Sequence, residues 1–117
     1  MDQPNPPTCG EAGLPPVDPF DESDIAAIAK ALAHPTRVRI IEQFREHRPF
    51  MVHEIVAGCE LAQSTVSEHL RILRTANVVF ATQDGPRTWY CLRRSVLKAF
   101  AAAVEDLSSE IVTIGRR

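Results

Sequence analysis

Apolar residues recur at helical spacing through most of the chain and switch to a two-residue period near residue 78. Asp21 or Ser23 can cap a first helix whose apolar positions are Ile25, Ile28, Ala29 and Leu32. His34-Pro35 interrupts it, and Pro35 suits the first turn of a second helix. That helix is expected to turn Val38, Ile41 and Phe44 inward and Arg37, Arg45 and Arg48 outward, with Arg48-Pro49 closing it. A short third helix is predicted from Val52 to Ala57, with Gly58 as its C-cap. After a tight turn at 59–62, a fourth helix from about Gln63 to Thr75 buries Val66, Leu70 and Leu73, and Asn77 offers a stop.

Residues 78–81 and 88–92 read as two strands, with Asp84-Gly85 as the hairpin signal and Pro86 at the tip, where no ladder hydrogen bond is lost. The last segment is the most regular. Leu97, Phe100, Val104, Leu107, Ile111 and Ile114 are spaced alternately three and four apart. So narrow a stripe suits a helix lying along another helix. It predicts a two-fold subunit interface formed by a helix at about 94–114, with Leu97, Phe100, Val104, Leu107 and Ile111 at the contact. A terminal helix packed on its own domain is the plainer alternative.

Composition narrows the class. A chain of 117 residues with 6% aromatics allows one domain, with a core of Ala, Val, Ile and Leu. It is small enough that a partner subunit is a fair expectation. No apolar run approaches the roughly 20 residues of a membrane span, and no basic-then-apolar leader opens the chain. Cys9, Cys59 and Cys91 are odd in number and widely spaced, which argues against a disulfide framework and for a reducing cytoplasm. Six of the nine prolines fall in the first 19 residues, so 1–20 reads as a flexible, acidic, proline-rich arm, most simply a solvated tail, ahead of a domain at 21–117. Residues 1–24 hold six of the 15 acids and no Lys or Arg, leaving 13 bases against nine acids, a net of +4, in the rest. A basic body behind an acidic arm is compatible with a nucleic-acid partner.

The third helix, tight turn and fourth helix form a helix-turn-helix pattern. In that arrangement the N-terminal turns of the second helix face the major groove. Gln63, Ser64, Thr65, Ser67, Glu68, His69 and Arg71 line its polar side. A merely solvated face would carry Glu and Lys; small hydroxyls, an amide and an imidazole can reach base edges or phosphates. The hairpin beside it makes a wing with Arg87 at its tip, where it can meet phosphate or the minor groove. The expected fold is mainly α with a small β-hairpin: four helices, a two-stranded wing and a long C-terminal helix.

Three runs carry a resemblance: A-L-A-H-P-T-R-V-R-I-I at 31–41, L-A-Q-S-T-V-S-E-H-L-R-I-L-R at 61–74 and G-P-R-T-W-Y-C-L at 85–92. Together they resemble the ArsR/SmtB family of bacterial winged-helix repressors over about residues 24–107. The resemblance implies a homodimer built from the first and last helices, which adds Ile25, Ile28 and Leu32 of a helix at about 24–33 to the contact, bound to a double-stranded operator of dyad symmetry and released by an inducer. It places Gln63, Ser64, Thr65, Ser67 and His69 at or near the DNA. Two positions depart from the family pattern. Ala62 stands where many relatives have a capping Ser, and Glu68 stands where His or Gln is frequent. Glu68 either accepts from a cytosine amino group or turns aside.

The family's thiolate motif is absent: the matching stretch, 49–55, carries Met51 and His53 where the cysteines would be. Residues 93–117 contain no His, so the family's last-helix zinc site is absent too. No metal site and no resident cofactor are expected. Cys9 on an arm folded over the neighbouring subunit and Cys59 at the turn are the candidate pair, across the dimer, for an inducer, a trivalent metalloid or a thiol-reactive signal, set against the duller reading of three free thiols. His34 is expected to cap or pack. An enzyme is not expected, because no phosphate loop, paired carboxylates or nucleophile motif occurs. The alternative function is a winged-helix module that uses its shape for protein contacts.

Overall fold

The computed structural model describes residues 7–17 and 20–111. Eight elements follow in the order α1 (Glu22–Leu32), α2 (Pro35–Gln43), β1 (Phe50–Met51), α3 (Val52–Ala57), α4 (Gln63–Thr75), β2 (Val79–Asp84), β3 (Arg87–Leu92) and α5 (Arg94–Ser108). This is the winged helix-turn-helix arrangement with one addition: β1 pairs with β3, making a three-stranded antiparallel sheet of order β1-β3-β2. Phe50 lies opposite Tyr90 and Met51 opposite Trp89. A two-residue strand has no period of its own, and its partner lies far along the chain.

Helix starts follow local chemistry. Asp21 and Asp24 form a capping box at α1, each carboxylate accepting the other's backbone N–H at 3.0 and 2.9 Å. His34 caps α2 through Nδ1, which accepts the Thr36 N–H at 3.1 Å. Pro35 takes the first helical position, where no N–H is needed. The Glu54 carboxylate accepts the Met51 N–H at 2.8 Å and fixes the start of α3.

The inward faces of α1 and α2 are each displaced from the expected ones. Ile28 and Ala31 are the buried residues of α1, whereas Ala29 is exposed. In α2, Ile40 and Phe44 reach the core, Ile41 is half-buried and Val38 is exposed. The helix ends at Gln43 rather than running to Arg48, because Phe44 closes it and packs edge-on against Phe50 at 5.3 Å. Gly58 is the C-cap of α3, as expected, but not in the left-handed conformation. Its φ is −84°, and Glu60, at φ 56°, makes the turn instead. Gly58 is small because a Cβ there would come within 2.6 Å of the Gln43 side chain. Asn77, at φ 64°, makes the expected stop after α4.

The core runs from Ile28 and Ala31 through Ile40, Phe44, Phe50 and Ile55 to Val66, Leu70, Leu73, Val78, Val79, Leu92 and Val96. At about 1.5–3 kcal/mol per fully buried aliphatic side chain, the three contributed by α4 hold that helix firmly to the body.

The first twenty residues do not hang free over their described part. Val17 and Phe20 pack against the core. Glu11 pairs with Arg93 at 3.0 Å, its carboxylate accepts from the Ser95 hydroxyl, and Arg93 also donates to the Pro15 carbonyl. The proline-rich composition excludes helix and sheet there, but not an extended strap held by side chains. Cys9 is joined to Cys91 in a disulfide. The expectation of free thiols is therefore wrong for these two.

Candidate nucleic-acid interface

The polar face of α4 lies over its buried row. Val66, Leu70 and Leu73 are all at most 1% exposed, while Gln63, Ser64, Thr65, Ser67, Glu68 and Arg71 are exposed. The first turn of α4 holds no acid, and Ala62 gives it no side-chain cap. The backbone N–H groups there, at the positive end of the helix dipole, are left for an outside acceptor. The turn preceding it keeps α3 beside α2. Gln43 donates to the Ile55 carbonyl at 3.2 Å and to Cys59 Sγ at 3.3 Å.

Two of the expected contact residues are engaged with each other. Glu68 and Arg71, one turn apart, form a two-point ion pair with Nε–Oε1 at 3.0 Å. In the free protein the Glu68 carboxylate is thus occupied by Arg71. Arg71, first through its hydrogen bonds and then through its charge, holds the Glu68 carboxyl below its ordinary range. Both side chains are more than half exposed, so the pair contributes little to stability.

His69 does not sit on the open face. It is half-buried, with its ring centroid 4.6 Å from that of His34, and its Nδ1 is buried without a partner among the described residues. Burial, followed by His34 and Arg37, lowers its pKa, with Glu68 opposing. The helical spacing places residue 69 on the border between the polar and buried rows, and sequence pattern alone does not decide to which side a border residue belongs.

The wing is a hairpin whose ladder runs from Val79 opposite Leu92 to Asp84 opposite Arg87. Gly85, at φ 60°, and Pro86 form its two-residue tip. Gln83 braces the tip, donating to the Gly85 carbonyl at 3.2 Å and accepting from the Thr88 hydroxyl at 2.9 Å. Arg87 is exposed beside that tip.

A family model described as bacterial regulatory protein, arsR family, matches residues 34–80, a span that begins at the α2 cap and ends in the wing. The transcriptional regulator CmtR of Mycobacterium bovis is 33% identical over 93 residues, covering 80% of this chain and 75% of that protein. The chain belongs to the ArsR family of bacterial regulatory proteins. Another relative, the transcriptional repressor SmtB of Mycobacterium tuberculosis, is 39% identical over 84 residues, 68% of this chain; the chain matches 62% of that repressor's length. Among solved structures, a Mycobacterium bovis domain described as a homodimeric winged helix-turn-helix DNA-binding domain is similar at a TM-score of 0.61. It is 25% identical, with 79% of this chain and 89% of that one covered. The ArsR-family assignment agrees with α3, α4 and the wing as built.

The expected dimer residues are distributed unevenly. Ile28 is 4% exposed and belongs to the core of its own protomer, so it is not free to face a partner. Ile25, Leu32, Leu97 and Phe100 are half-buried. Val104 and Leu107 are 43% and 71% exposed along the outer half of α5. The helix ends at Ser108 rather than about 114, so Ile111, also exposed, lies beyond it. The position of Ile114 is outside the described residues.

In this state the Cys9–Cys59 pair expected across the dimer has no free Cys9 thiol to draw on. Cys9 is joined to Cys91, and Cys59 is 4% exposed, facing Gln43 inside the α2–α3 junction. Burial pushes the Cys59 thiol above its ordinary pKa, so it lacks the thiolate character a sensor needs. Among the described residues, no three His, Cys, Asp or Glu side chains converge as a metal site, and no helix is long and apolar enough to cross a membrane.

Proposed function

We propose that this ArsR-family chain is a homodimeric, sequence-specific DNA-binding repressor, acting in the cytoplasm on a double-stranded operator of dyad symmetry. One observation carries the reading: the first turn of α4 is uncapped and free of acids, and exposed Gln63, Ser64, Thr65 and Ser67 line the start of the helix, with Arg87 exposed on the wing. Gln63 and Ser67 read base edges, while Ser64, Thr65 and the backbone N–H groups take phosphate. Arg71 reaches phosphate by exchanging its bond to Glu68 for one to DNA. His69 supports the helix from behind, through His34. No resident cofactor takes part in this reading.

The dimer is proposed on the α5 face. Val104 and Leu107 project there, beside a groove of about 660 Å³ lined by Val17, Phe20, Ile25 and the α5 alanines 99, 102 and 103. A second copy of the same helix fills such a groove with apolar surface.

The test is binding to duplex DNA over a range of salt. Affinity should fall steeply as salt rises, because each neutralised phosphate releases counterions. Affinity that is absent or indifferent to salt would favour the protein-contact module instead.

A further inference from the structure

We propose that Cys9 and Cys91 form a reversible redox site whose disulfide clasps the N-terminal arm to the outer face of the wing sheet. Cys91 is in the central strand, β3, where side chains alternate between the two faces. Tyr90 and Leu92 turn to the core. Trp89 and Cys91 turn the other way, with Met51 and Phe80 beside them as cross-strand partners. Trp89 is nonetheless 9% exposed and Cys91 1% exposed, so this second face is covered too. Cys9 reaches it through its bond to Cys91, across 82 residues of sequence.

The fastening has a covalent part and a polar part. Immediately after Cys9, Glu11 meets Arg93 and Ser95 at the start of α5, and Arg93 donates to the Pro15 carbonyl. The polar part is open to competition from salt and water, whereas the disulfide is not. Cys9 is half-buried and Cys91 buried, so a reagent meets Cys9 first.

With a hydroperoxide as oxidant, the Cys9 thiolate attacks oxygen, the O–O bond breaks and Cys9 becomes a sulfenic acid as the first water or alcohol leaves. The Cys91 sulfur then attacks Cys9 sulfur. The S–S bond forms, the S–O bond breaks and a second water departs with the remaining proton. Two thiols lose two electrons and the peroxide gains two. An external dithiol reverses the step through a mixed disulfide at Cys9. For a regulator that works among reducing thiols, a disulfide here is a state rather than a permanent staple.

Trp89 is the one tryptophan in the chain, which gives the site a reporter. The experiment is a glutathione redox titration of the full chain, followed by Trp89 emission, thiol counting by alkylation and cleavage after Glu11 by a glutamate-specific protease. Alkylated after denaturation, because Cys59 is buried, the oxidised protein should show one free thiol, Cys59. Reduction should raise the count to three, brighten and red-shift the emission, and speed cleavage after Glu11. C9S, a change on the arm that leaves the core intact, should hold the reduced-type emission whatever the redox buffer; C59S should respond as wild type. Three thiols after full oxidation, or an unchanged emission on full reduction, would overturn the clasp.

Resting on the DNA-binding reading, the clasp also regulates, because Arg87 and Cys91 share β3 and the oxidised form holds that strand. The oxidised protein should bind duplex DNA more tightly than the reduced. Equal affinity alongside a normal emission change would overturn the regulatory role. Absence of binding in both states would count against the DNA reading and leave the clasp standing on its emission and thiol data.

Discussion

Side chains on α4 divide by what they can touch. Gln63 and Ser67 are exposed in the first two turns of α4 and are not part of its buried row of Val66, Leu70 and Leu73, so their replacement by Ala should leave the fold intact. Each change should cost about 1–3 kcal/mol at particular base pairs, measured against a panel of single-base operator variants. His69 gives a prediction of a different kind. Its folded pKa lies below the ordinary 6.5, owing first to burial and then to His34 and Arg37. Between the lowered value and 6.5 the unfolded chain holds the proton and the folded one does not, so stability is full above that window and falls as pH drops through it. Denaturant midpoints between about pH 5 and 7.5 should show this slope, and H69N should flatten it. The identity of these residues was legible in the sequence, but the engagement of Glu68 with Arg71 and of His69 with His34 was not. The first depends on rotamers within α4 and the second on a neighbour outside that helix.

At the level of elements, pattern served best where structure is local. The capping box at α1, the His34 cap, α3, α4 and the hairpin all rest on contacts within a few residues. Its failures were contacts between distant segments: β1 against β3, the Gln43 side chain over Gly58, and the strap of Glu11 on Arg93. Composition alone described the arm as a tail because nothing near Glu11 announces a partner at the start of α5. The wing carries the prediction that belongs here. Arg87 is exposed beside a tip braced by Gln83 and Thr88. Replacing it with Ala should weaken binding about equally on all sequences and lower the salt slope by roughly one. A loss confined to particular base pairs would mean that it reads sequence instead.

For the whole molecule, the proposed dimer face on the outer half of α5 is what would present α4 twice. Leu107 is 71% exposed and makes no contribution to the core of its own protomer. Placing a charge there should leave the monomer folded and remove apolar contact between copies. L107E should sediment as a monomer with wild-type circular dichroism, and its affinity for DNA should fall because two weakly held half-sites no longer act together. A persistent dimer would move the interface elsewhere. The alternating three-and-four stripe pointed to this surface, yet it overran the helix by several residues, because the apolar period continues past Ser108 while the backbone does not. It also could not separate Ile28, which the protomer keeps for itself, from residues free to meet a partner.

The most direct test of paired recognition helices is a hydroxyl-radical footprint on a duplex enriched from random sequence by the wild-type protein. Two protected half-sites should appear, related by a dyad and centred roughly one helical turn, about 10 base pairs, apart. Failure to enrich any sequence, or one unpaired patch of protection, would contradict the account.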